Sequence, residues 1–427
     1  MQSFTLDNDI SFKSPDFIRK AQERLLNGHL AYCRANSPFY RRHLAGMPEG
    51  EITLEDYAKF PTTAKQDLAE CNDDFVAVPQ RDISDICFTS GTTGCPCKIT
   101  YTKSDLDRLA YNDAVGYVAT GMNADDTVLM TCTIDRCFIA GLAYYMGVVK
   151  LGAAAVRNGL NTLDSHAEII KSTKISAIVG VPSFLAKLGQ YLKDNDVDAS
   201  GIKRLVCIGE PLRTKNMELT PLGAKLEGFW PGGVFSTYAS SEIVTSFTEC
   251  SVRHGGHPPA DLAIVEILDD NDRPLPPGEV GEVTVTPLQV QGMPLVRFRT
   301  GDIGFQAPGK CPCGRNTLRL GPILGRKAQM LKVRGTTLFP NAFFNVLDRI
   351  EGIDNYYMEV SGTGLSDEID IYVSFRSGNL ASWHVDDCLY GKNRLHARLH
   401  ELSCEEARQK VFGTSRKPVR FFDLRKN

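Results

Sequence analysis

The sequence contains no uninterrupted apolar run of the roughly 20 residues that a membrane-spanning helix needs. The nearest approach, Cys132 to Val149, is broken by Asp135 and Arg136. The amino-terminal residues lack the basic-then-apolar pattern of a secretory signal. A formal net charge of only −3 gives no electrostatic basis for binding nucleic acid or an anionic membrane. We therefore expect neither a membrane nor a nucleic acid as a partner.

The cysteine pattern argues against a disulfide framework. The 13 cysteines are an odd number and are mostly scattered along the chain, whereas disulfide frameworks use even sets. Free thiols persist in a reducing compartment, which predicts a cytoplasmic protein. A chain of 427 residues without internal repeats is long enough for more than one domain.

The order of strands and helices predicts an α/β fold. From Thr127 to Ile208, short apolar strands alternate with helices of about ten residues or more, a pattern typical of mainly parallel sheets covered by helices. From Leu262 to Val296, short strands separated by Asp, Asn, Pro and Gly turns indicate antiparallel pairing. A small α+β segment follows Gly325-Arg326. We expect a large amino-terminal domain over 1–326, which includes an antiparallel β subdomain at about 250–324, and a small carboxyl-terminal domain over 327–427.

A loop of small residues lies between two predicted strands, Ile83–Phe88 and Ile99–Thr102. Glycines let the backbone turn with positive φ, and successive N–H groups in such a turn form an anion-binding concavity that hydroxyls extend. These properties suit a polyphosphate, and a flexible Ser/Thr/Gly turn is the simpler alternative. The loop residues are Thr89, Ser90, Gly91, Thr92, Thr93 and Gly94, with Lys98 close behind them.

A second candidate segment, Tyr238-Ala239-Ser240-Ser241-Glu242, follows a strand-like stretch. Its aromatic ring could stack on a base and its hydroxyls could bond a phosphate. Its carboxylate could hold Mg²⁺, which takes one or two carboxylates beside substrate phosphates. The alternative is a Ser-Ser-Glu helix N-cap.

Two further segments follow predicted strands. Gly209-Glu210-Pro211 comes after Leu205–Ile208, where an ordinary turn is an equal alternative. Asp302, in Arg299-Thr300-Gly301-Asp302, ends an antiparallel strand. An ionised carboxylate there can accept hydrogen bonds from both hydroxyls of a ribose, because it offers two acceptor oxygens.

These segments, in this order, resemble the motifs of the adenylate-forming enzymes, which include the acyl-CoA synthetases. The first loop is similar to T-S-G-T-T-G-x-P-K, with Cys97 in place of the lysine and Lys98 one position later. The other three are similar to G-x-E-P, Y-G-x-T-E and R-T-G-D. The resemblance implies that these loops bind ATP. It implies Glu242 as the Mg²⁺ ligand, Tyr238 and Ala239 at the adenine and acyl pocket, and Asp302 on the ribose.

The resemblance extends into the carboxyl-terminal region. Gly325 to Gly335 is similar to the hinge motif G-R-x-D-D-x-I-K-x-x-G, with Ala328 and Gln329 in place of both aspartates. Arg326 is retained and is implied to contact ribose or phosphate. Lys417 is similar to the lysine of a final G-K-x-x-R motif, which implies a catalytic lysine on a mobile lid. A solvated basic tail is the alternative.

The short carboxyl-terminal domain, the Cys-Pro-Cys-Gly segment and Phe339-Pro340 resemble the phenylacetate–CoA ligases most. This resemblance implies that ATP and Mg²⁺ activate an aryl or arylacetic acid as its acyl-adenylate, and that coenzyme A then takes the acyl group. The implied acid pocket consists of Phe138, Ile139, Gly141, Tyr144, Phe184 and Tyr238.

Four residues form a candidate metal site. Cys311 and Cys313 flank a proline, and Cys250 and His257 lie seven residues apart elsewhere. Three thiolates and one imidazole suit tetrahedral zinc, although the spacing is not that of a zinc ribbon and His254 is an alternative ligand. Related ligases carry a similar set with the histidine seven residues after the cysteine. The resemblance thus implies a structural zinc ion on Cys250, His257, Cys311 and Cys313.

Other functions stay compatible with the sequence. A carrier-protein thiol or an amine could accept the acyl group instead of coenzyme A. The altered hinge and the displaced lysine are also compatible with a nucleotide-binding protein that has lost catalysis. The sequence leaves the acid and the oligomeric state open, a homodimer included.

Overall fold

A computed structural model describes all residues except 1–3, 90–96, 136, 334–335, 363–366, 377–381, 394–396, 414–417 and 426–427. The chain divides into two compact units, Met1–Ile323 and Leu324–Asn427. Among the described residues, every helix is too short or too polar to cross a bilayer.

The described helices are α1 Pro15–Asn36, α2 Pro38–His43, α3 Leu54–Tyr57, α4 Lys65–Glu70, α5 Lys103–Thr120, α6 Ile139–Leu151, α7 Leu163–Ser172, α8 Pro182–Asp194, α9 Pro221–Phe229, α10 Pro340–Leu347, α11 Ser382–Asn393 and α12 Cys404–Phe412. The described strands are β1 Thr63–Ala64, β2 Ile83–Phe88, β3 Lys98–Thr102, β4 Thr127–Met130, β5 Ala154–Arg157, β6 Ala177–Gly180, β7 Arg204–Ile208, β8 Val234–Ser240, β9 Thr245–Glu249, β10 Gly256–His257, β11 Ala263–Leu268, β12 Val280–Pro287, β13 Phe298–Phe305, β14 Gly325–Arg326, β15 Leu331–Val333, β16 Thr336–Leu338, β17 Ile353–Ser361, β18 Glu368–Phe375, β19 Arg398–Glu401 and β20 Phe421–Asp423.

The larger sheet of the first unit has the strand order β10-β9-β8-β7-β6-β4-β5. Its strands from β8 to β5 are parallel, and β6 is buried along its whole length. The predicted α/β alternation is therefore confirmed. Because parallel strands end at one edge, the loops that follow β6, β7 and β8 leave the sheet on the same side, where ligands of such sheets bind.

The second sheet of the first unit has the order β1-β13-β12-β11. Strands β11, β12 and β13 are antiparallel, as the sequence predicted for this region, and the short β1 pairs with β13 in parallel. The pairing β1–β13 places the start of α4 beside β13. Asp302 lies inside this strand, whereas the sequence predicts it at the end of a strand.

Arg108 on α5 ties this helix to both sheets. Its side chain is fully buried and donates to Leu288 O, Val244 O, Leu262 O and Thr245 Oγ1. Burial lowers the pKa of Arg108 to about 10, so the guanidinium stays charged at neutral pH. One of its acceptors, Val244, lies in the turn between β8 and β9, which Arg108 thereby holds in place.

The second unit is a sheet with the order β19-β18-β17-β20, packed with helices α10, α11 and α12. Its core includes Phe343, Leu347, Met358, Ile371 and Leu389. Strands β17 and β18 are antiparallel, whereas β19 and β20 add in parallel, an α+β arrangement as the sequence predicts.

Candidate active site

Tyr238, Ala239 and Ser240 end strand β8, and Ser241 to Val244 form a four-residue turn into β9. The alternative interpretation as a helix N-cap is therefore wrong, because the chain turns back into an antiparallel partner strand. Tyr101 Oη donates to Ser241 O at 2.9 Å, and Arg108 bonds Val244 O. Both ends of the turn that carries Glu242 are thus fixed by buried side chains.

Tyr238 joins this hairpin to the second sheet. Its Oη donates to Asp302 Oδ2 at 2.8 Å, and its ring lies 5.6 Å from that of Phe247. Burial, reinforced by the charge of Asp302, raises the pKa of Tyr238 well above its ordinary value. The phenol therefore stays protonated and serves as a fixed donor to the carboxylate predicted to bind ribose.

Glu242 is buried, and Lys65 Nζ lies 3.6 Å from its Oε1. Lys65 is the first residue of α4 and reaches this position because β1, directly before it, pairs with β13. Ser240 Oγ is buried and has no hydrogen-bond partner among the described residues. A carboxylate and an unsatisfied hydroxyl are the oxygen ligands and phosphate contacts that a Mg²⁺–polyphosphate uses, so these residues fit that group.

The loop Gly209-Glu210-Pro211 lies beside Tyr238. Ile208, the last residue of β7, pairs in register with Thr237 of β8. The loop and Tyr238 therefore leave neighbouring strands at the same edge. The structure thus brings together the segments around residues 210, 238, 242 and 302.

The predicted phosphate loop connects the antiparallel strands β2 and β3. Thr89 N donates to Cys97 O at 3.0 Å, which closes the base of the loop. Ser90, Gly91, Thr92, Thr93 and Gly94 lie outside the described residues. Lys98 Nζ is 2.7 Å from Asp73 Oδ1, in a pair with both side chains exposed. Exposed pairs of this kind contribute little, so a phosphate could take the place of Asp73.

The predicted acid-pocket residues occupy two helices. Phe138 precedes α6 and is 42% exposed, whereas Ile139 and Tyr144 of α6 are buried. A Cβ on Gly141 would lie 1.8 Å from Thr133 O, so glycine is required for α6 to pack against this loop. Phe184 lies at the start of α8, with its ring 5.1 Å from that of His166.

Two predicted residues belong to the second unit. Arg326 ends β14 and precedes a short 3-10 turn at Lys327–Gln329. Within this unit, Arg425 Nη1 donates to Met330 O at 2.9 Å, which fastens the segment after the turn. Lys417 lies outside the described residues.

The four predicted metal ligands converge. Cys250 Sγ is 3.6 Å from Cys311 Sγ, and Cys313 Sγ is 3.7 Å from His257 Nε2. All four ligand atoms lie within 4.8 Å of one another. Zinc bonds of about 2.0–2.3 Å in a tetrahedron require ligand separations of about 3.3–3.8 Å, so the cluster has nearly this size. The rival His254 is exposed, and its Nδ1 pairs with Val252 O instead.

The surroundings of this cluster suit a metal. His257 Nδ1 lies 2.7 Å from Thr317 Oγ1, a partner that leaves Nε2 facing the thiols, as the outer partners of metal-bound histidines do. Burial, with Arg315 and Arg319 nearby, lowers the pKa of His257 to about 4. The imidazole is therefore neutral at neutral pH, and only a neutral ring can ligate.

Sequence reasoning missed two residues at this edge. These residues, Lys65 and Ser183, belong to none of the motifs from which the sequence predicts a site. Ser183 accompanies Glu210, whose carboxylate it bonds. Neither has a local signal, because each reaches its partner through strand pairing between distant segments.

Comparison with known proteins gives one family and a set of curated relatives. Residues 42–291 match the family model of the AMP-binding enzymes. A phenylacetate-coenzyme A ligase of Thermus thermophilus is 32% identical over 369 residues, which cover 83% of this chain and 81% of that protein. A phenylacetate-coenzyme A ligase of Escherichia coli is 28% identical over 390 residues, covering 89% and 87%.

Solved structures share the fold. A 2-hydroxyisobutyryl-CoA ligase in the postadenylation state, in complex with R3-HIB-AMP, superposes with a TM-score of 0.84 at 20% identity, covering 97% of this chain and 91% of that one. An o-succinylbenzoate CoA synthetase from Bacillus subtilis, bound to an acyl-adenylate, gives a TM-score of 0.58 at 19% identity, covering 74% and 65%. At such identities the likeness concerns the fold alone.

Proposed function

This chain belongs to the AMP-binding enzyme family, and on that premise we propose that it is an AMP-forming ligase for an aryl or arylacetic acid. The acid is activated as its acyl-adenylate, and the acyl group then passes to coenzyme A. Two curated relatives named phenylacetate-coenzyme A ligases, which this chain covers over more than four fifths of their length, support the choice of acid and acceptor.

The observation that carries the proposal is the hydrogen bond from Tyr238 to Asp302, at 2.8 Å, beside the Gly209–Pro211 loop and the turn of Glu242. Asp302 would hold the ribose, and the Gly209–Pro211 loop with Tyr238 and Ala239 would hold the adenine. Glu242, Ser240 and Ser241 would lie at the phosphates. Mg²⁺ held by Glu242 would neutralise phosphate charge. Positioning and electrostatic stabilisation account for most of the catalysis in such a reaction, because the substrate carboxylate is itself the nucleophile.

The proposed ligase works in two half-reactions. A carboxylate oxygen of the acid attacks the α-phosphorus of ATP, the bond to the β-phosphate breaks, and pyrophosphate leaves. The thiolate of coenzyme A then attacks the acyl carbon, and AMP leaves with the carboxylate oxygen. We assign Lys98 and the preceding loop to the phosphates in the first step, and Phe138, Ile139, Gly141, Tyr144 and Phe184 to the wall around the acid.

We also propose that Cys250, His257, Cys311 and Cys313 hold one structural zinc ion. When bound, zinc would cross-link the segment after β9 to the Cys-Pro-Cys turn and take no part in the reaction. The described cysteines are all free thiols, which fits the reducing cytoplasm where we propose that the enzyme acts.

Acid-dependent exchange of labelled pyrophosphate into ATP tests the proposal. The panel comprises phenylacetate, hydroxyphenylacetates, benzoates and short aliphatic acids, with thioester formation measured after coenzyme A is added. We expect exchange with an aryl or arylacetic acid and thioester from the same acid. In Glu242→Gln the exchange should fall at least a hundredfold, about 2.7 kcal/mol in the barrier. Glu279→Gln, at an exposed turn, is the matched control.

The other outcomes discriminate the rival functions. Exchange without thioester would indicate a carrier-protein or amine acceptor. ATP binding without exchange for any acid would indicate a nucleotide-binding protein. Wild-type exchange in Glu242→Gln would contradict the assignment of the metal ligand.

A further inference from the structure

The carboxylate of Glu210 bonds the first turn of helix α8. Ser183 N donates to Oε2 at 2.8 Å, and Ser183 Oγ donates to Oε1 at 2.9 Å. The N-cap residue of α8, Val181, provides no side-chain cap. The first N–H groups of a helix have no partner inside it, and a carboxylate beside them also interacts favourably with the helix dipole. Glu210 therefore caps α8 from a different segment of the chain.

Strand pairing brings these segments together. Strands β6 and β7 are parallel neighbours, with Gly180 in register with Cys207. Helix α8 begins just after β6, and Glu210 comes two residues after β7, so both leave the same edge of the sheet. Gly209 has φ +78°, a conformation that side chains disfavour, and this turn directs Glu210 towards α8.

The two bonded residues lie in segments that are proposed to bind different substrates. Gly209-Glu210-Pro211 is the loop proposed for adenine, whereas Phe184, the neighbour of Ser183, is proposed for the acid. We infer that Glu210 is a positioning residue that couples the nucleotide loop to the acid-pocket helix through Ser183. This inference rests on the proposed function for the identity of the two substrates.

If the two segments are coupled, a substitution at a residue that contacts neither ligand should change the binding of both. Ser183→Ala removes a hydroxyl bonded to protein, yet it should weaken ATP binding because the adenine loop loses its anchor. Glu210→Gln keeps one acceptor oxygen but places an amide against Ser183, so it should raise the KM for the acid as well as that for ATP. Ser183→Thr keeps the hydroxyl, so its ATP affinity and its KM for the acid should be close to those of the wild-type protein.

A double-mutant cycle with Glu210→Gln, Ser183→Ala and their combination tests the inference. Calorimetry gives the Kd of ATP without acid, and pyrophosphate exchange gives the KM of the acid. In each single variant, the Kd of ATP and the KM of the acid should both rise about five- to tenfold. The double variant should be within about twofold of the worse single one, because interacting residues are not additive. Ser165→Ala, a first-turn serine of α7 that pairs with Asn158, is the control and should change neither.

Hydrogen exchange supplies a readout that does not depend on turnover. ATP should increase protection of the first turn of α8 in the wild-type protein and in Ser183→Thr, but not in Glu210→Gln. Ser183→Ala with both constants within twofold of wild type, or additive effects in the cycle, would overturn the inference. If wild-type protein binds no ATP, the proposed function fails first, and the coupling fails with it.

Discussion

Tyr238 Oη donates a 2.8 Å hydrogen bond to Asp302 Oδ2, and this bond links the hairpin β8–β9 of one sheet to strand β13 of the other. The phenol stays protonated because burial raises its pKa well above the ordinary value. A fixed donor on one carboxylate oxygen orients that carboxylate before any ligand arrives. We therefore expect Tyr238 to preorganise Asp302 for the ribose.

Tyr238→Phe keeps the ring and removes only the hydroxyl. A hydrogen bond to a charged group contributes about 1.5–3 kcal/mol, of which part should appear as an ATP affinity about tenfold weaker by calorimetry. Tyr191→Phe is the control, because Tyr191 Oη donates to the exposed Asp164 at 3.2 Å. Tighter ATP binding in Tyr238→Phe would mean that the hydroxyl competes with ribose instead of orienting Asp302.

Lys65 places a positive charge 3.6 Å from the buried Glu242. In Lys65→Met the carboxylate loses its partner, so a cation should bind it more tightly while the phosphates lose a positive neighbour. We expect the Mg²⁺ concentration for half-maximal exchange to fall about fivefold and the KM for ATP to rise about tenfold. Lys59→Met, from an exposed pair with Asp56, should move neither. A shift of both constants in the same direction would refute this account.

The metal cluster predicts a stoichiometry and a ligand set. Purified protein should contain about one zinc per chain, and the Cys311→Ser/Cys313→Ser double variant should contain none and melt at a lower temperature. His257→Ala should lose the metal, whereas His254→Ala should keep it, because of these two histidines it is His257 that faces the thiols. Metal analysis of the purified variants measures the zinc content, and thermal melts measure the loss of stability. Protein isolated without zinc, or equally stable after chelation, would rule the site out.

A residue close to this cluster in the chain holds the amino-terminal segment by two hydrogen bonds. Asn316, three residues beyond Cys313, donates from N to Ser11 O at 2.7 Å and from Nδ2 to Lys13 O at 2.9 Å. Chelation should therefore speed hydrogen exchange at residues 10–17 together with the Cys-Pro-Cys turn. Unchanged protection of the amino-terminal segment after zinc removal would show that the contact does not depend on the metal.

Asp113 on α5 gives a pH dependence of stability. It is 3% exposed, and burial raises its pKa from 3.8 to about 6, although Ser246 Oγ donates to it at 2.6 Å. Its neighbours Tyr117, Tyr144 and Cys132 stay neutral, because burial raises their pKa values too. The folded state therefore holds this proton more tightly than the unfolded state. The resulting stabilisation is complete below pH about 4 and is lost as the pH rises through about 6.

Asp113→Asn replaces the acid by a neutral group of the same shape. The melting temperature of Asp113→Asn minus that of the wild type should be larger at pH 8 than at pH 5. At pH 8 the wild-type Asp113 is charged in a buried place, which costs on the order of 3 kcal/mol. Asp125→Asn, at an exposed turn, is the control. A melting-temperature difference that does not change between the two pH values would contradict the raised pKa.

Local sequence signals such as helix-capping residues predicted much of the secondary structure. The features that they missed depend on pairing between strands. Ser14-Pro15 predicts the start of a helix and Ser37-Pro38 its interruption. Helix α1 begins at Pro15 and ends at Asn36, α2 begins at Pro38, and each serine accepts a first-turn N–H. In isolation, Ser-Ser-Glu at 240–242 favours a helix N-cap, and only the pairing of β8 with β9 shows that it belongs to a hairpin turn.

In the candidate site, too, local sequence signals identify individual residues, whereas the pairing of distant strands determines which of them meet. The resemblance, and not the residues alone, selected His257 over His254 for the predicted metal site. In the structure His257 approaches Cys250 because β10 folds back on β9, with His257 in register with Thr248. No local pattern places Lys65 next to Glu242, since that approach depends on β1 pairing with a strand more than two hundred residues away. Contacts of this kind can be read from the folded chain only.

The resemblance assigns Lys417 to the first half-reaction only. A lysine ammonium is a compact charge with three donors, suited to the shared charge of a carboxylate, an α-phosphate and departing pyrophosphate. If the second unit changes orientation between the half-reactions, as hinged domains commonly do, the lysine acts in adenylation and is absent from thioester formation.

Lys417→Ala should therefore lower acid-dependent pyrophosphate exchange at least a hundredfold, about 2.7 kcal/mol in the barrier. Given preformed acyl-adenylate, the variant should still make thioester from coenzyme A within a few-fold of wild type. Lys426→Ala, in the same basic tail, should leave both rates unchanged. Normal rates of both steps in Lys417→Ala would indicate a solvated tail, and equal loss of both would indicate one lysine serving both steps; either result would contradict the division of labour between the half-reactions.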